Sequence, residues 1–84
     1  MKQKAPKDPG IPKHVREFVS RRDGGCVLRN HEIECWGGLH HHHILPRSRG
    51  GQHTPNNLEV LCSFHHLSTV HGNPIWAREN GHLR

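Results

Sequence analysis

The fold of this chain is decided by the stretch Leu39-His40-His41-His42-His43-Ile44-Leu45-Pro46-Arg47-Ser48-Arg49-Gly50-Gly51. Four successive histidines lead into an apolar pair, a proline, two arginines and a glycine turn. Neutral imidazole is the commonest metal ligand in proteins, and its pKa near physiological pH also suits proton transfer. Because the run is internal and continues into a patterned segment, an affinity-tag remnant explains it poorly. The stretch therefore predicts a site for a metal ion or for acid–base chemistry.

The length and composition predict one small domain with a thin core. The chain has 84 residues, of which 31% are apolar, and it contains no tyrosine. A chain of this size buries only about 60–65% of its unfolded surface, and small domains often gain the missing stability from metals. The Lys- and Pro-rich segment Met1–Gly10 is predicted to be a flexible basic arm, so the domain itself is expected over residues 11–84.

The charge balance indicates a polyanionic partner. Twelve Lys and Arg residues against seven Asp and Glu residues give a net charge of +5, for which nucleic acid is the first candidate partner. No apolar run approaches the roughly 20 residues that span a membrane, and the basic N-terminus precedes no hydrophobic segment of the kind found in secretion signals. We therefore expect a cytoplasmic protein with no membrane partner.

The cysteines indicate metal binding rather than disulfides. Cys26, Cys35 and Cys62 make an odd set, whereas secreted disulfide scaffolds usually have an even number. Cysteines mixed with histidines in a cytoplasmic chain favour a metal site. The other interpretation, that the three are small buried hydrophobic residues, stays open at this point.

Periodicity predicts helices at both ends of the domain. Val15, Phe18 and Val19 fall on one face of a helix over Pro12–Arg22, which Asp23-Gly24-Gly25 should end. The remaining elements follow from alternation, caps and turn residues. They are strands at Cys26–Leu28, Leu39–Leu45 and Leu58–Cys62, a loop over Pro46–Asn56, a helix over Phe64–His71 capped by Ser63, and a last helix over Pro74–Asn80 capped by Asn73, with Ile75 and Trp76 packing inward.

Three blocks in fixed order carry a resemblance to a known family. They are His42-His43-Ile44 with Pro46–Gly51, then Asn57-Leu58 before Leu61-Cys62, then His65-His66 followed by His71. Together they resemble the HNH endonuclease family from about Arg22 to His71, most closely the small HNH proteins of bacteriophages and prophages. The resemblance implies a small α+β fold. Its core would be the ββα-metal unit, strand–loop–strand–helix around one divalent cation, here with flanking N- and C-terminal helices.

The resemblance also implies roles for individual residues. His43 aligns with the general base that takes a proton from the attacking water, and Asn57 with the asparagine that orients the loop and the base. His42 and His66 align with metal ligands for Mg²⁺, Mn²⁺, Ni²⁺ or Zn²⁺. The flanking His40 and His41 are expected to be bystanders.

Two further assignments depart from the family pattern or extend it. Some relatives have a ligand four residues after the helix histidine, but this chain has Val70 there and His71 one residue later. On an α-helix His71 would lie about a quarter-turn off the expected face, so it reaches the metal only through a distorted helix end, or else binds phosphate. Arg47 and Arg49 are predicted phosphate contacts, because a guanidinium group matches phosphate oxygens.

A second metal site is suggested by relatives that hold a structural zinc with two Cys-x-x-Cys pairs. This chain has Cys62-x-x-His65 but a wider Cys26-x8-Cys35 spacing. Three thiolates and an imidazole form a good tetrahedral zinc set. The hypothesis is a structural zinc bound by Cys26, Cys35, Cys62 and His65, with His31 as a spare ligand.

The leading functional hypothesis is a metal-dependent DNA endonuclease or nickase that produces 3′-hydroxyl and 5′-phosphate ends. The phage resemblance implies partners such as the terminase in genome packaging, and the chain is expected to be a monomer or weak dimer. A non-catalytic, zinc-stabilised nucleic-acid-binding module is the alternative, and it has no use for His43 or Asn57. Metal storage would explain eleven histidines but neither the arginine–glycine turn nor the Asn-Leu block.

Overall fold

Two antiparallel strands form the centre of the molecule. The structure is a computed structural model and describes residues 10–31 and 33–84. Strands β1 and β2 pair in register from Leu39↔Cys62 to His43↔Leu58, and a π-helix follows β2 directly. The elements are α1 (Lys13–Asp23), β1 (Leu39–His43), 3-10 turns at Arg47–Arg49 and Pro55–Asn57, β2 (Leu58–Cys62), the π-helix (His65–Val70) and α2 (Pro74–Glu79). This confirms the predicted small α+β fold with a strand–loop–strand–helix core and a helix on either side of it in sequence.

Helix α1 packs on one face of the sheet, as predicted, with one error in its buried stripe. It begins after Pro12 and ends at Gly24, whose left-handed conformation lets its N–H donate to the carbonyl of Ser20. Val15 and Val19 are buried against β2, but Phe18 is 55% exposed. At about 100° per residue, Phe18 lies some 100° from Val19, so it falls on the rim of the stripe rather than in it.

The sheet separates two small cores, and two of the four histidines of β1 lie on each of its faces. Leu58 and Val60 pack towards α1, whereas Leu61 belongs to the core beneath the π-helix and α2. Residues directly opposite each other across the strands point to the same face. His41 and His43, opposite Val60 and Leu58, therefore lie on the α1 face. By the same rule His40 and His42, opposite Leu61 and Glu59, lie on the π-helix face.

Two strand predictions need correction. Residues 26–28 do not form a strand, and residues 27–30 lie in turns, because the N–H groups of Arg29 and His31 donate to the carbonyls of Cys26 and Leu28. Strand β1 ends at His43 rather than Leu45. Beyond His43, the backbone N–H of Leu45 donates to the side-chain oxygen of Asn57 at 2.8 Å instead of to a neighbouring strand.

The two helices after β2 follow the prediction in position but not in every detail. Ser63 does not cap the first one, since its hydroxyl donates to the carbonyl of Gly38 instead. Asn73 does cap α2, accepting from the N–H of Trp76, which is half-buried as expected. Ile75 is wrongly predicted, because it is 68% exposed. Across the described residues, the helices lack the length and apolar character that a membrane crossing requires. The predicted basic arm lies outside the described residues, apart from Gly10.

Candidate active site and metal centres

The π-helix explains how His71 joins His66 although it follows five residues later. In a π-helix the backbone N–H bonds to the carbonyl five residues earlier, so residues i and i+5 become neighbours. The N–H of His71 donates to the carbonyl of His66 at 3.1 Å, and the two Nε2 atoms lie 3.2 Å apart. The predicted helix is thus present. Its wider turn places His71 on the same face as His66, instead of the quarter-turn away that an α-helix would give.

His42 completes a group of three imidazoles. One ring nitrogen each from His42, His66 and His71, together called the histidine cluster, all lie within 4.8 Å of one another. The cluster opens onto a cleft of about 240 Å³, the histidine cleft. This cleft is lined by His41, His42, His43, Pro46, Arg47, His66 and His71. Three protein ligands and an open side are the arrangement of catalytic metal sites, which keep positions for water and substrate.

The protonation states of the cluster suit a cation. Burial lowers the pKa of His42 to about 4, with further lowering by the nearby His71 and His43. Burial also lowers the pKa of His66 to about 4, and the neighbouring His42, His71 and His40 add to this effect. Both rings are therefore neutral at pH 7, which is the form that binds a metal ion.

Each of these two rings is held from its far nitrogen. The Nε2–H of His42, which is only 3% exposed, donates to the carbonyl of His82 at 2.7 Å, so its Nδ1 is the nitrogen turned to the cluster. His82 is itself fixed by its Nδ1, 2.9 Å from a carboxylate oxygen of Glu59. Such outer partners set the orientation and tautomer of metal-binding histidines.

His40 holds His66 in the same way, a role that the sequence analysis missed. The Nδ1 atoms of His40 and His66 are 2.8 Å apart, and Nε2 of His40 lies 3.2 Å from the hydroxyl of Ser63. One set of tautomers satisfies the whole chain, with His66 donating to His40, His40 to Ser63, and Ser63 to the carbonyl of Gly38. Strand alternation was the available signal, because it places His40 on the face of His42.

His43 lies at the end of β1, at the edge of the same cleft but on the other face of the strand. Its Nε2 is 3.0 Å from Nδ1 of His53, a contact that no sequence pattern indicated. The structure thus brings the predicted base beside the histidine cluster without making it a member.

Asn57 fixes the loop that follows the base. Its side-chain oxygen accepts from the N–H of Leu45, and its amide nitrogen donates to the carbonyls of Leu45 and Gln52 at 3.2 and 3.0 Å. Its own backbone carbonyl accepts from Ile44 at 2.9 Å. Asn57 is buried and lies in the turn just before β2, so it ties both ends of the loop together.

The two arginines predicted to contact phosphate are placed differently. Arg47 and Arg49 both lie in the 3-10 turn after Pro46, and both are exposed. Arg47 lines the histidine cleft, whereas Arg49 does not. Arg47 thus lies beside the histidine cluster, and the phosphate contacts of both arginines stay predictions.

The three cysteines meet at His65, next in sequence to His66. The sulfur atoms of Cys26, Cys35 and Cys62 lie 3.5, 3.7 and 3.2 Å from Nδ1 of His65. All four ligand atoms of this thiol cluster lie within 4.8 Å of one another. His31 is not part of it, since its ring packs edge-on against that of His65 with centroids 5.7 Å apart.

The chemistry of the thiol cluster fits a zinc ion. His65 is fully buried, and among the described residues its Nε2 has no hydrogen-bond partner and its Nδ1 faces only sulfur. Burial opposes ionisation of Cys62, but the N–H groups of His65 and Trp36 and the neighbouring thiols outweigh it and lower the pKa of Cys62 to about 6. A thiolate at neutral pH is the form that binds metal. Three sulfurs and one imidazole supply the four ligands of a closed site.

Comparison with known proteins gives one family. The profile described as HNH endonuclease matches residues 25–70, which include β1, β2, the π-helix, the thiol cluster, and His42 and His66 of the histidine cluster. No curated protein and no solved structure matches the chain significantly. The matched segment covers more than half of the 84 residues. The chain therefore belongs to the HNH endonuclease family.

Proposed function

We propose that the protein is a metal-dependent DNA endonuclease or nickase that hydrolyses phosphodiester bonds to 3′-hydroxyl and 5′-phosphate ends. The observation that carries this proposal is the convergence of three imidazoles on one cleft, with His43 at its edge outside the cluster. A metal centre open to substrate and a separate base are the two parts that phosphodiester hydrolysis needs.

In this proposal the histidines divide the chemistry. His42, His66 and His71 hold the cation, which when bound stabilises negative charge on the phosphate and on the leaving oxygen. His43 takes the proton of the attacking water, while His53 contacts its Nε2 and orients the ring. Asn57 keeps β1 and the loop in place so that the base stays beside the cluster. Arg47 binds a phosphate oxygen at the cleft.

The thiol cluster has a structural part in the proposal. Bound to zinc, it would join the turn at Cys26, the segment at Cys35, the end of β2 and the start of the π-helix. Since His65 and His66 are neighbours, a zinc bound by His65 would also fix the position of the catalytic ligand.

The finer parts of the proposal come from the sequence and the family resemblance. They are a bacteriophage or prophage origin, action with a terminase in genome packaging, a cytoplasmic location in the bacterial host, and a monomeric or weakly dimeric state. The division into an arm over residues 1–10 and a domain over 11–84 also stays a prediction.

A plasmid nicking assay tests the proposal. Supercoiled DNA is incubated with the protein in Mg²⁺, Mn²⁺, Ni²⁺ or Zn²⁺, and His43→Ala is compared with wild type and with Arg78→Gln, which removes an exposed arginine of α2. We expect His43→Ala to cut about 10²–10⁴-fold more slowly, the usual contribution of a general base, and Arg78→Gln to cut normally.

Other results would change the assignment. Equal cutting by His43→Ala and wild type would show that His43 is not the base. If no variant cuts with any of the metals while all bind DNA, the protein is the non-catalytic zinc module instead.

A further inference from the structure

Helix α1 lies outside the matched family segment and carries a charged cleft of its own. This cleft, the helix cleft, has a volume of about 460 Å³ and runs between α1 and β1. It is lined by Arg16, Glu17, Ser20, Arg21 and His41. Nothing in the proposed chemistry uses these residues, although the helix cleft is larger than the histidine cleft.

The two clefts share a wall. His41 lines both of them, and its Nε2 is held by the hydroxyl of Ser20 at 3.0 Å and the carbonyl of Arg16 at 3.2 Å. A ligand too long for the histidine cleft would therefore continue past His41 onto α1. A nucleic-acid strand is such a ligand.

The charges in the helix cleft suit a phosphate backbone. Within the described residues the guanidinium groups of Arg16 and Arg21 form no ion pair. The one acid in the cleft, Glu17, is 3.9 Å from the ammonium of Lys13 and is partly neutralised by it. Arg16 and Arg21 both line this one cleft, so both guanidinium groups can reach the same strand.

An aromatic ring adjoins the same surface. Phe18, which is more than half exposed, borders a smaller cleft of about 290 Å³ with Arg21 and Arg22. Exposed aromatic rings beside arginines are typical of surfaces that bind nucleic acid, where the ring packs on sugars or bases. Phe18 does not contribute to the thin core of this protein, so its ring is available to pack on nucleic acid.

We propose that α1 is a second DNA-binding surface, in which Arg16 and Arg21 bind phosphates of the strand that leaves the histidine cleft past His41, and Phe18 packs on the same DNA. The inference extends the proposed nuclease function, because it assigns the path of the substrate outside the active site. It predicts that binding depends on residues outside the family segment.

The test measures binding to a fluorescein-labelled 30-base-pair DNA duplex by fluorescence anisotropy between 50 and 200 mM KCl. All proteins are full-length and carry His43→Ala, so the DNA stays intact. Each phosphate contact contributes about 0.9 to the slope of log K against log salt concentration. The pair Arg16→Gln and Arg21→Gln should therefore reduce the slope by about 1.8, which makes the loss of affinity over this salt range about tenfold smaller.

Three further variants separate the contributions. Glu17→Gln should strengthen binding at low salt, because it removes the acid from the cleft. Phe18→Ala should weaken binding without changing the slope, because the ring releases no counterions. Arg78→Gln, in α2 beyond the opposite face of the sheet, should leave both affinity and slope unchanged.

The outcomes distinguish this inference from the nuclease proposal. An unchanged slope in the double arginine variant, or no salt-dependent DNA binding by the parent protein, overturns the surface on α1. If such an unchanged slope is found while protein with His43 intact nicks plasmid DNA, the nuclease proposal stands alone. If the slope falls as expected while no protein cuts, the surface is supported and the nuclease proposal fails.

Discussion

The thiol cluster and the histidine cluster begin from neighbouring residues but differ in burial and in the number of ligands. His65 points into a closed group with three sulfurs, and its ring is fully buried. His66 points to the other side, into a group of three imidazoles at an open cleft. Four protein ligands leave a metal no position for substrate, whereas three leave at least one. The same short helix can therefore serve stability with one residue and chemistry with the next.

The difference between the two clusters indicates which of them stabilises the fold of this small protein. The described apolar core divides into two small groups on either side of the sheet, and several large apolar residues stay on the surface. The thiol cluster lies in the larger group with Cys26 and Cys62 among its members. Loss of a metal from this position should unfold the chain, while loss of a metal from the cleft should leave it folded.

The largest expected effect is that of Cys62→Ala. A structural zinc contributes about 10–16 kcal/mol in small zinc domains, as much as or more than the typical net stability of about 5–15 kcal/mol. We expect the variant to contain no zinc and to show no cooperative thermal transition by circular dichroism. Val19→Ala, a core truncation on the α1 side of the sheet, should melt earlier but keep one zinc per chain.

The opposite result would support the other interpretation of the cysteines. If wild type purified without added metal contains no zinc, and Cys62→Ala melts cooperatively near the wild-type temperature, the three cysteines serve only as small buried hydrophobic residues. The two clusters would then not differ as closed and open metal sites.

The second prediction concerns His66, which should affect binding without affecting the fold. His66→Gln removes one ligand of the histidine cluster but leaves His65 and the three sulfurs in place. We expect one zinc per chain and a near-normal melting temperature, together with a loss of Mn²⁺ binding larger than the roughly 10–100-fold typical of outer partners. Isothermal titration calorimetry and zinc analysis of the same sample measure both. Loss of zinc along with Mn²⁺ would show that the two clusters are not independent.

Much of the fold and the residues of both clusters could be predicted from the sequence. Strand β2 was predicted with its observed bounds, since Leu58–Cys62 alternates and is flanked by polar residues. Spacing within one short segment was enough to relate Cys62 to His65, and the resemblance added Cys26 and Cys35. These predictions succeed because they depend on local patterns or on a family arrangement of ligands.

The π-helix and the outer partners could not be predicted in the same way. Nothing local in His65–Val70 indicates an i→i+5 hydrogen bond, because the wider turn is set by the packing of the helix on β2 and α2 and by what His66 and His71 contact. The links from His42 to His82 and from His43 to His53 join residues 40 and 10 positions apart. Contacts of this kind depend on tertiary structure, and a single sequence has no period or motif for them.

The smallest of these effects is expected for His40→Ala, and its comparison with His41→Ala tests the two faces of β1 separately. His40→Ala removes the partner of Nδ1 of His66 but no ligand, so the ring of His66 loses its fixed tautomer and orientation. We expect Mn²⁺ affinity to fall about 10–100-fold, with zinc content unchanged. His41→Ala, which removes the next histidine on the α1 face, should leave Mn²⁺ affinity as in wild type. Equal affinities in the two variants would mean that His40 does not position His66, and that the histidine cluster is held by its ligands alone.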